Sequence, residues 1–236
     1  MKFSYSFVLI SFLASGLLIS CKKDQSINNS SSTSSKQSLV AFQLKAVNQP
    51  MSVNRLSTIS NKTDGTTITL ISGTASVSMI KFEAKNAGSE VEFKSNVNRS
   101  IDLFNDTSIL GNIKIPNGTF TEVEFKAQLT PINNNPALEI KAQATIGANT
   151  LNVIFRANEN IEIKGEKANV TLTDSTLHKA ITSINTSSIF QGIGGMALSN
   201  AVLTNGDLLI TSSVNQDLYK IIVKNLKDLN DEEDFD

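Results

Sequence analysis

Residues 138–157 read LEIKAQATIGANTLNVIFRA and carry the clearest structural signal in the chain. Apolar side chains recur at every second position on both sides of Gly147-Ala148-Asn149, and polar residues stand between them. A period of two is typical of a half-buried β-strand, because successive side chains point to opposite faces of a sheet. The glycine-containing break between the two runs predicts an antiparallel hairpin.

The same alternation marks other segments on both sides of this hairpin, separated by turn-forming residues. We expect strands at residues 40–46, 66–71, 74–85, 90–95, 97–103, 111–115, 123–129, 161–163, 168–172 and 207–212. Ser72-Gly73 separates the second strand from the third, and a second hairpin turns at Gly165. Many short strands at close spacing predict a mainly-β fold, an antiparallel β-sandwich.

The parity of the apolar residues changes within residues 74–85. Ala75 and Val77 lie on one parity, whereas Ile80 and Phe82 lie on the other. One extra residue in a strand sends every later side chain to the opposite face. The sequence therefore predicts a β-bulge near Met79.

The pattern becomes helical towards the C-terminus. Asp174 or Ser175 is a candidate cap for a short helix through Ile184. A longer helix is expected after Asn215, a candidate N-cap, with apolar residues at helical spacing: Leu218, Ile221, Ile222, Leu226 and Leu229. We expect one or two C-terminal helices packed on the sandwich, the alternative for the last one being a helix on a membrane surface.

Residues 187–201 are ambiguous because three glycines, Gly192, Gly194 and Gly195, weaken any helix there. Four apolar residues of this segment are expected to be buried: Ile189, Phe190, Ile193 and Met196.

The N-terminus has the features of an export signal. Lys2 is followed by residues 3–19 without a charge, and the stretch ends in Leu18-Ile19-Ser20-Cys21. These four residues resemble the lipobox of bacterial lipoproteins. The resemblance implies that the thiol of Cys21 receives a diacylglyceryl group and that the chain is cut just before it. The alternative is a retained anchor, since a 17-residue helix spans about 25 Å, short for a bilayer.

These signals divide the chain into four parts. Residues 1–20 form the signal peptide, and residues 21–38 carry the lipidated Cys21 and a flexible tether rich in Ser and Asn. Residues 39–230 form the β-sandwich domain. Residues 231–236 form a frayed acidic tail.

A second resemblance covers the β-patterned region. The segments Ile101-Asp102-Leu103-Phe104, IPNGTF at residues 115–120 and GDLLI at residues 206–210, followed by Asn215 and Leu218-Tyr219, are similar to envelope lipoproteins common in Bacteroidota. Those proteins carry an uncharacterised transthyretin-like or immunoglobulin-like β-sandwich. The resemblance implies a sandwich fold and a place on the bacterial outer membrane, on its periplasmic or its surface-exposed side. It implies no functional site.

Composition excludes several classes of function. The formal net charge is −1 and the domain has no Lys/Arg cluster, so we expect no nucleic-acid partner. His178 is the sole histidine, which excludes a multi-histidine metal site, and we expect no metal or other cofactor. The chain has no Trp, so a lectin site built on aromatic stacking is not expected, although one built on hydrogen bonds stays open.

Two groups of residues are candidates for catalysis by their residue types. His178 follows Asp174 and Ser175, but no G-x-S-x-G turn accompanies them, so an exposed or capping histidine is the favoured interpretation. Glu122 and Glu124 resemble a carboxylate pair for glycoside hydrolysis, but their alternation with apolar residues favours a solvated strand face. We therefore expect no enzymatic activity.

Three hypotheses about function follow. The first is a lipid-anchored binding or scaffolding domain, attached to the membrane through Cys21, that meets an envelope protein or a glycan. The second is a structural subunit of a surface polymer that assembles by strand addition, as fimbrial lipoproteins do. The third is a hydrolase with an unrecognised site.

Overall fold

The computed structural model describes residues 36–47, 58–61, 66–86, 88, 90–105, 108–173, 177–228, 231–232 and 234–235. These residues form thirteen strands and three short helices. The strands are β1 (Gln37–Val47), β2 (Thr58–Asn61), β3 (Thr66–Lys85), β4 (Glu90–Asp102), β5 (Ile109–Pro116), β6 (Gly118–Leu129), β7 (Leu138–Ile146), β8 (Asn149–Ala157), β9 (Ile161–Leu172), β10 (Leu177–Asn185), β11 (Leu208–Ile210), β12 (Asp231–Glu232) and β13 (Asp234–Phe235). The helices are α1 (Thr186–Ile189), α2 (Gly195–Ser199) and α3 (Gln216–Lys227).

The strands form two sheets. The smaller sheet has the order β13-β10-β1-β5, and the larger one has the order β11-β8-β7-β3-β6-β9-β12. β2 and β4 pair with β3 along the edge opposite β7 and β6. The prediction of a mainly-β sandwich with C-terminal helices is confirmed. Three strand pairs within it are parallel: β1 with β10, β11 with β8, and β12 with β9.

The hairpin of residues 138–157 is confirmed as β7 and β8. The strands pair without a shift, from Leu138 opposite Ala157 to Ile146 opposite Asn149. Gly147 has a φ of +60°, as the first residue of a tight two-residue hairpin turn requires. The turn and the alternation therefore specify the same register.

Strand β3 is the long central element of the larger sheet. Its first half pairs with β7 and its second half with β6, so one strand connects the two parts of that sheet. The register shifts between Val77 and Met79, which confirms the predicted bulge. The predicted break at Ser72-Gly73 is wrong. The Gly73 carbonyl accepts a hydrogen bond from the Leu103 amide (2.9 Å), so this glycine permits a close approach and forms no turn.

The predicted hairpin at Gly165 is also wrong, because β9 continues through it. Gly165 is buried and lies opposite Phe125 on β6. Ile161 and Ile163 share its inward face. The alternation of buried and outward-facing residues is thus unbroken through residues 161–166. Gly165 takes an inward-facing position beside Phe125, where another residue would place a side chain.

The predicted helix ending at Ile184 is wrong. Asp174 and Ser175 lie outside the described residues, and the residues after them form β10, which runs parallel to β1. Ala180, Ile181 and Thr182 are consecutive and all buried. A strand covered on both faces loses its alternation, and this loss produced the helical interpretation.

The sheets meet in one apolar core. Phe42 on β1 stacks on Phe125 of the larger sheet, with ring centroids 5.1 Å apart, and its centroid lies 5.3 Å from that of Phe82. On another part of the larger sheet, Tyr219 of α3 lies on Phe155, with centroids 5.6 Å apart. Helix α3 thus packs on strand β8, as predicted.

The segment before β11 is only partly buried. Ile189, Phe190 and Ile193 are in the core, as predicted. Met196 is 79% exposed, so its predicted burial is wrong. Helix α2 is only five residues long and turns Leu198 inward, which leaves Met196 on the solvent side.

Asn215 precedes α3, but it does not cap the helix through its side chain. It has a φ of +52°, and no side-chain cap bond forms. Its amide instead donates to the carbonyls of Val202 (2.8 Å) and Leu209 (2.7 Å), and it accepts from the Val202 amide (2.9 Å). The predicted cap is thus wrong in mechanism, since Asn215 ties the loop before β11 to the helix start.

The C-terminal residues differ from the expected frayed tail. The backbone of Asp231–Glu232 pairs with β9, and that of Asp234–Phe235 pairs with β10.

Candidate functional site

The predicted lipidation motif, Leu18, Ile19, Ser20 and Cys21, lies outside the described residues. Cys21 lipidation and the membrane attachment that depends on it therefore stay predictions. Among the described residues, no helix is long and apolar enough to cross a membrane.

His178 lies on β10 and is partly buried. Its Nε2 atom is 3.2 Å from the Thr173 carbonyl oxygen, a backbone contact at the end of β9. The two other members of the candidate triad, Asp174 and Ser175, are outside the described residues. Within the described part of the chain, no three His, Cys, Asp or Glu side chains are placed to hold a metal ion.

The polar surface with a regular arrangement of charges is the outer face of four neighbouring strands, in the spatial order β4, β3, β6 and β9. We call it the charged face. Each strand contributes one triplet of Glu and Lys around a central residue: Lys81-Phe82-Glu83, Glu92-Phe93-Lys94, Glu124-Phe125-Lys126 and Lys164-Gly165-Glu166. The central residues point to the inner face and the charged ones outward, because side chains alternate along a strand.

The register aligns these triplets into two rows that cross all four strands. One row is entirely acidic and consists of Glu92, Glu83, Glu124 and Glu166. The adjacent row is entirely basic and consists of Lys94, Lys81, Lys126 and Lys164. Neighbouring strands are antiparallel, and the triplet order reverses between β3 and each of its neighbours and between β6 and β9. Like charges therefore face each other across every strand pair.

Like charges directly opposite each other destabilise a sheet. Here each lysine compensates this repulsion by pairing with a glutamate two residues away on its own strand. Lys94 and Glu92 are 2.6 Å apart, and Lys164 and Glu166 are 3.1 Å apart. Equivalent pairs form within the triplets of β3 and β6.

Glu124 is one of the two inner members of the acidic row and the most buried of the four. It is 7% exposed and contacts the ammonium groups of both Lys126 and Lys164. Burial raises the pKa of Glu124, but the two lysines outweigh that effect and lower it to about 2. A general acid needs a raised pKa, so Glu124 is set up to remain charged and is unsuited to proton donation.

The two glutamates considered as a catalytic pair therefore have different environments. Glu122 is partly exposed and pairs with Lys85 at 2.8 Å. Glu124 is buried beneath lysines, so the expected solvated position is wrong for this residue. The sequence feature that could have predicted this burial is the triplet of Glu and Lys around a central residue, which recurs on four strands. The alternation of polar and apolar residues alone does not predict it.

A second candidate site is a shallow cleft of about 390 Å³ along α3. Its floor includes Tyr219 and Val223, and Lys220, Lys224 and Lys227 stand at its rim. The Tyr219 hydroxyl is buried and lies near the Glu159 carboxylate. Burial, together with that carboxylate, raises the pKa of Tyr219, so the hydroxyl remains protonated.

Among the described residues, six strands pair on one side only: β2, β4, β5, β11, β12 and β13. The longest of them are β4 in the larger sheet and β5 in the smaller one. The two edges approach each other where the Arg99 guanidinium donates to the Ile109 carbonyl. The first half of β4, residues 90–95, pairs with β3 alone within the described part of the chain.

Comparisons with protein-family models, curated proteins and solved structures find no match to this chain.

Proposed function

We propose that the chain is a lipid-anchored cell-envelope protein whose sandwich acts as a non-catalytic binding or scaffolding domain. The observation that carries this proposal is the sequence Leu18-Ile19-Ser20-Cys21 directly after an uncharged segment. Its resemblance to a lipobox supports attachment to the bacterial outer membrane through Cys21. The similarity to Bacteroidota envelope lipoproteins supports the same location.

The physical basis is the affinity of acyl chains for lipid. Each buried methylene contributes about 0.8 kcal/mol, and two chains on one sulfur hold a protein stably at a membrane. The polar residues that follow Cys21 would then hold the sandwich away from the headgroups.

Metabolic labelling with a fatty acid tests this proposal. We expect label in the wild-type chain and none in Cys21→Ser, which should accumulate as an uncleaved precursor. Ser20→Ala is the matched control, because a small residue still precedes the cysteine and labelling should persist. Equal labelling of the Cys21→Ser variant would refute the proposal.

The charged face supports a binding role for the domain. Its side chains are held by mutual ion pairs on a rigid sheet, so a partner meets a preorganised pattern of charge. Affinity capture of the intact protein from envelopes, compared with a Lys81→Glu/Lys94→Glu variant, tests this role. Loss of an envelope protein or glycan from the variant sample supports it, and identical captured material argues against it.

A second candidate function is a subunit of a surface polymer. The edges of β4 and β5 favour it, because neither has an outer partner in the described part of the chain and strand addition needs an unpaired edge. A ladder of chain multiples on a gel of unboiled envelopes is the expected result. A single species under these conditions would count against a polymer.

A further inference from the structure

The triplets on β4 and β9 lie at the two ends of both charge rows, but β12 pairs with β9 beside Gly165 and Glu166, so only the β4 end lacks a neighbouring strand among the described residues. Glu92 and Lys94 are opposite Glu83 and Lys81 on one side, and no described strand lies on the other side. Both side chains are about half exposed. An incoming strand would therefore add one position to the acidic row and one to the basic row.

We propose that β4 pairs with β4 of a second copy of this chain, antiparallel and about a two-fold axis at Phe93. In this arrangement Glu92 lies opposite the partner's Lys94, and Lys94 lies opposite the partner's Glu92. Every strand pair within the charged face places like charges opposite each other, whereas this pair joins opposite ones. The interface is closed, because the same edge serves both copies.

Charge selects this register over its neighbours. A shift of the axis to Glu92 places Lys94 opposite the partner's Glu90 but sets the two copies of Glu92 against each other. A shift to Lys94 sets the two lysines against each other. A shift that pairs residues of odd and even number turns Phe93 to the wrong face of the partner sheet. Only the axis at Phe93 gives two attractive pairs and no repulsive one.

The inner face favours the same axis. Phe93 lies beside Phe82, which lies beside Phe125, so three phenylalanines already form a row across the sheet. Phe93 is partly buried and packs against the core. The two-fold axis brings the two Phe93 rings together, and aromatic cross-strand pairs stabilise sheets. The paired region ends at the irregularity beyond Asn96.

Site-directed disulfide formation in the full chain tests the geometry. Residues opposite each other in an antiparallel pair have Cα atoms about 4.5–5.5 Å apart, within the range of a disulfide. We expect Phe93→Cys to form a cross-linked dimer under mild oxidation. Ser95→Cys is the matched control on the same strand and face, since its own copy in the partner would be about 13 Å away. Cross-linking is counted above that of the wild-type chain, whose one thiol is Cys21, and equal values for the two variants would overturn the proposal.

A charge-swap series tests the register without relying on the Phe93 variant. Glu92→Lys and Lys94→Glu each create two repulsive pairs between copies and should weaken dimerisation about 10-fold or more. Within one chain each change places opposite charges across β3 and β4, so the fold should not weaken. The double variant restores attraction between copies and should dimerise like the wild type.

Sedimentation of the full chain in detergent micelles reads out this series. A concentration-dependent wild-type dimer, weakened in the single variants and restored in the double variant, supports the proposal. A wild-type monomer at all concentrations overturns it, as does a double variant no better than the single ones. Open-ended multimers also overturn it, in favour of the polymer. None of these outcomes depends on whether Cys21 carries lipid.

Discussion

At the scale of single residues, Glu124 shows how a carboxylate stays charged on a sheet without contact with bulk water. The inner face of its strand belongs to Val123 and Phe125, which fixes Glu124 on the outer face. The ammonium groups of Lys126 and Lys164 contact its oxygens and supply positive charge there. These two ion pairs compensate for the loss of water around the buried carboxylate.

Glu124→Gln should destabilise the chain by about 1–3 kcal/mol at pH 7, because two ammonium groups lose their charged acceptor. The pKa of about 2 lies below the ordinary value of 4.5. The stabilisation is therefore complete above pH 4.5 and is lost as the pH falls towards 2. Urea unfolding at pH 7 and pH 2.5 should show a difference from wild type that shrinks at the lower pH.

Glu122→Gln is the control for this experiment. It lies on the same strand and the same face, but its ion pair with Lys85 is exposed, so its replacement should have a much smaller effect. Equal losses for both variants, or a Glu124→Gln difference that persists at pH 2.5, would contradict this account.

At the scale of elements, turn residues and the alternation of polar and apolar side chains predict the hairpins. A strand that is buried on both faces lacks this alternation and is not predicted from the sequence. The β7–β8 hairpin shows one face to the core and carries its turn glycine between two regular runs. Strand β10 lies between β1 and β13 and has three buried residues in succession. The local sequence of β10 does not predict which strands will pair with it.

Two glycines in hairpin turns allow a clean test of backbone conformation. Gly147 has a φ of +60°, whereas Gly88 has an ordinary φ, and an added Cβ meets no atom within 4 Å at either position. Gly147→Ala should therefore cost about 1–2 kcal/mol through its left-handed backbone alone. Gly88→Ala should be close to neutral. Thermal unfolding measures both, and similar midpoints for the two variants would exclude backbone strain at Gly147.

At the scale of the whole molecule, the two sheets hold together through a shared core. Phe42 contacts two phenylalanines of the larger sheet from the smaller one. Helix α3 packs on β8 elsewhere on the larger sheet. A continuous core predicts that both regions unfold together.

Phe42→Ala should destabilise the fold by about 3–5 kcal/mol, because it leaves a cavity between the sheets. Leu39→Ala on the same strand is the control, with a small effect, since Leu39 is partly exposed. Unfolding followed by circular dichroism and by the fluorescence of Tyr219 should give one coincident transition. Two separate transitions would show that the sheets fold independently.

Features that depend on neighbouring residues along the chain can be predicted from local sequence patterns. These are the mainly-β class, the hairpin of residues 138–157, the bulge near Met79 and the last helix. Each follows from side-chain alternation, helical spacing or turn chemistry, which are local properties of the backbone. The candidate lipid attachment at Cys21 is local in the same sense, and it awaits the labelling experiment.

The choice of neighbour for each strand, by contrast, is seen in the three-dimensional fold and in no local pattern. That choice made β10 a strand parallel to β1, kept β9 continuous through Gly165, and aligned four triplets into an acidic and a basic row. The physical reason is that burial and cross-strand contact depend on residues far apart in the chain. The edge of β4, which has no outer partner among the described residues, and the charges along it became visible only once those neighbours were known.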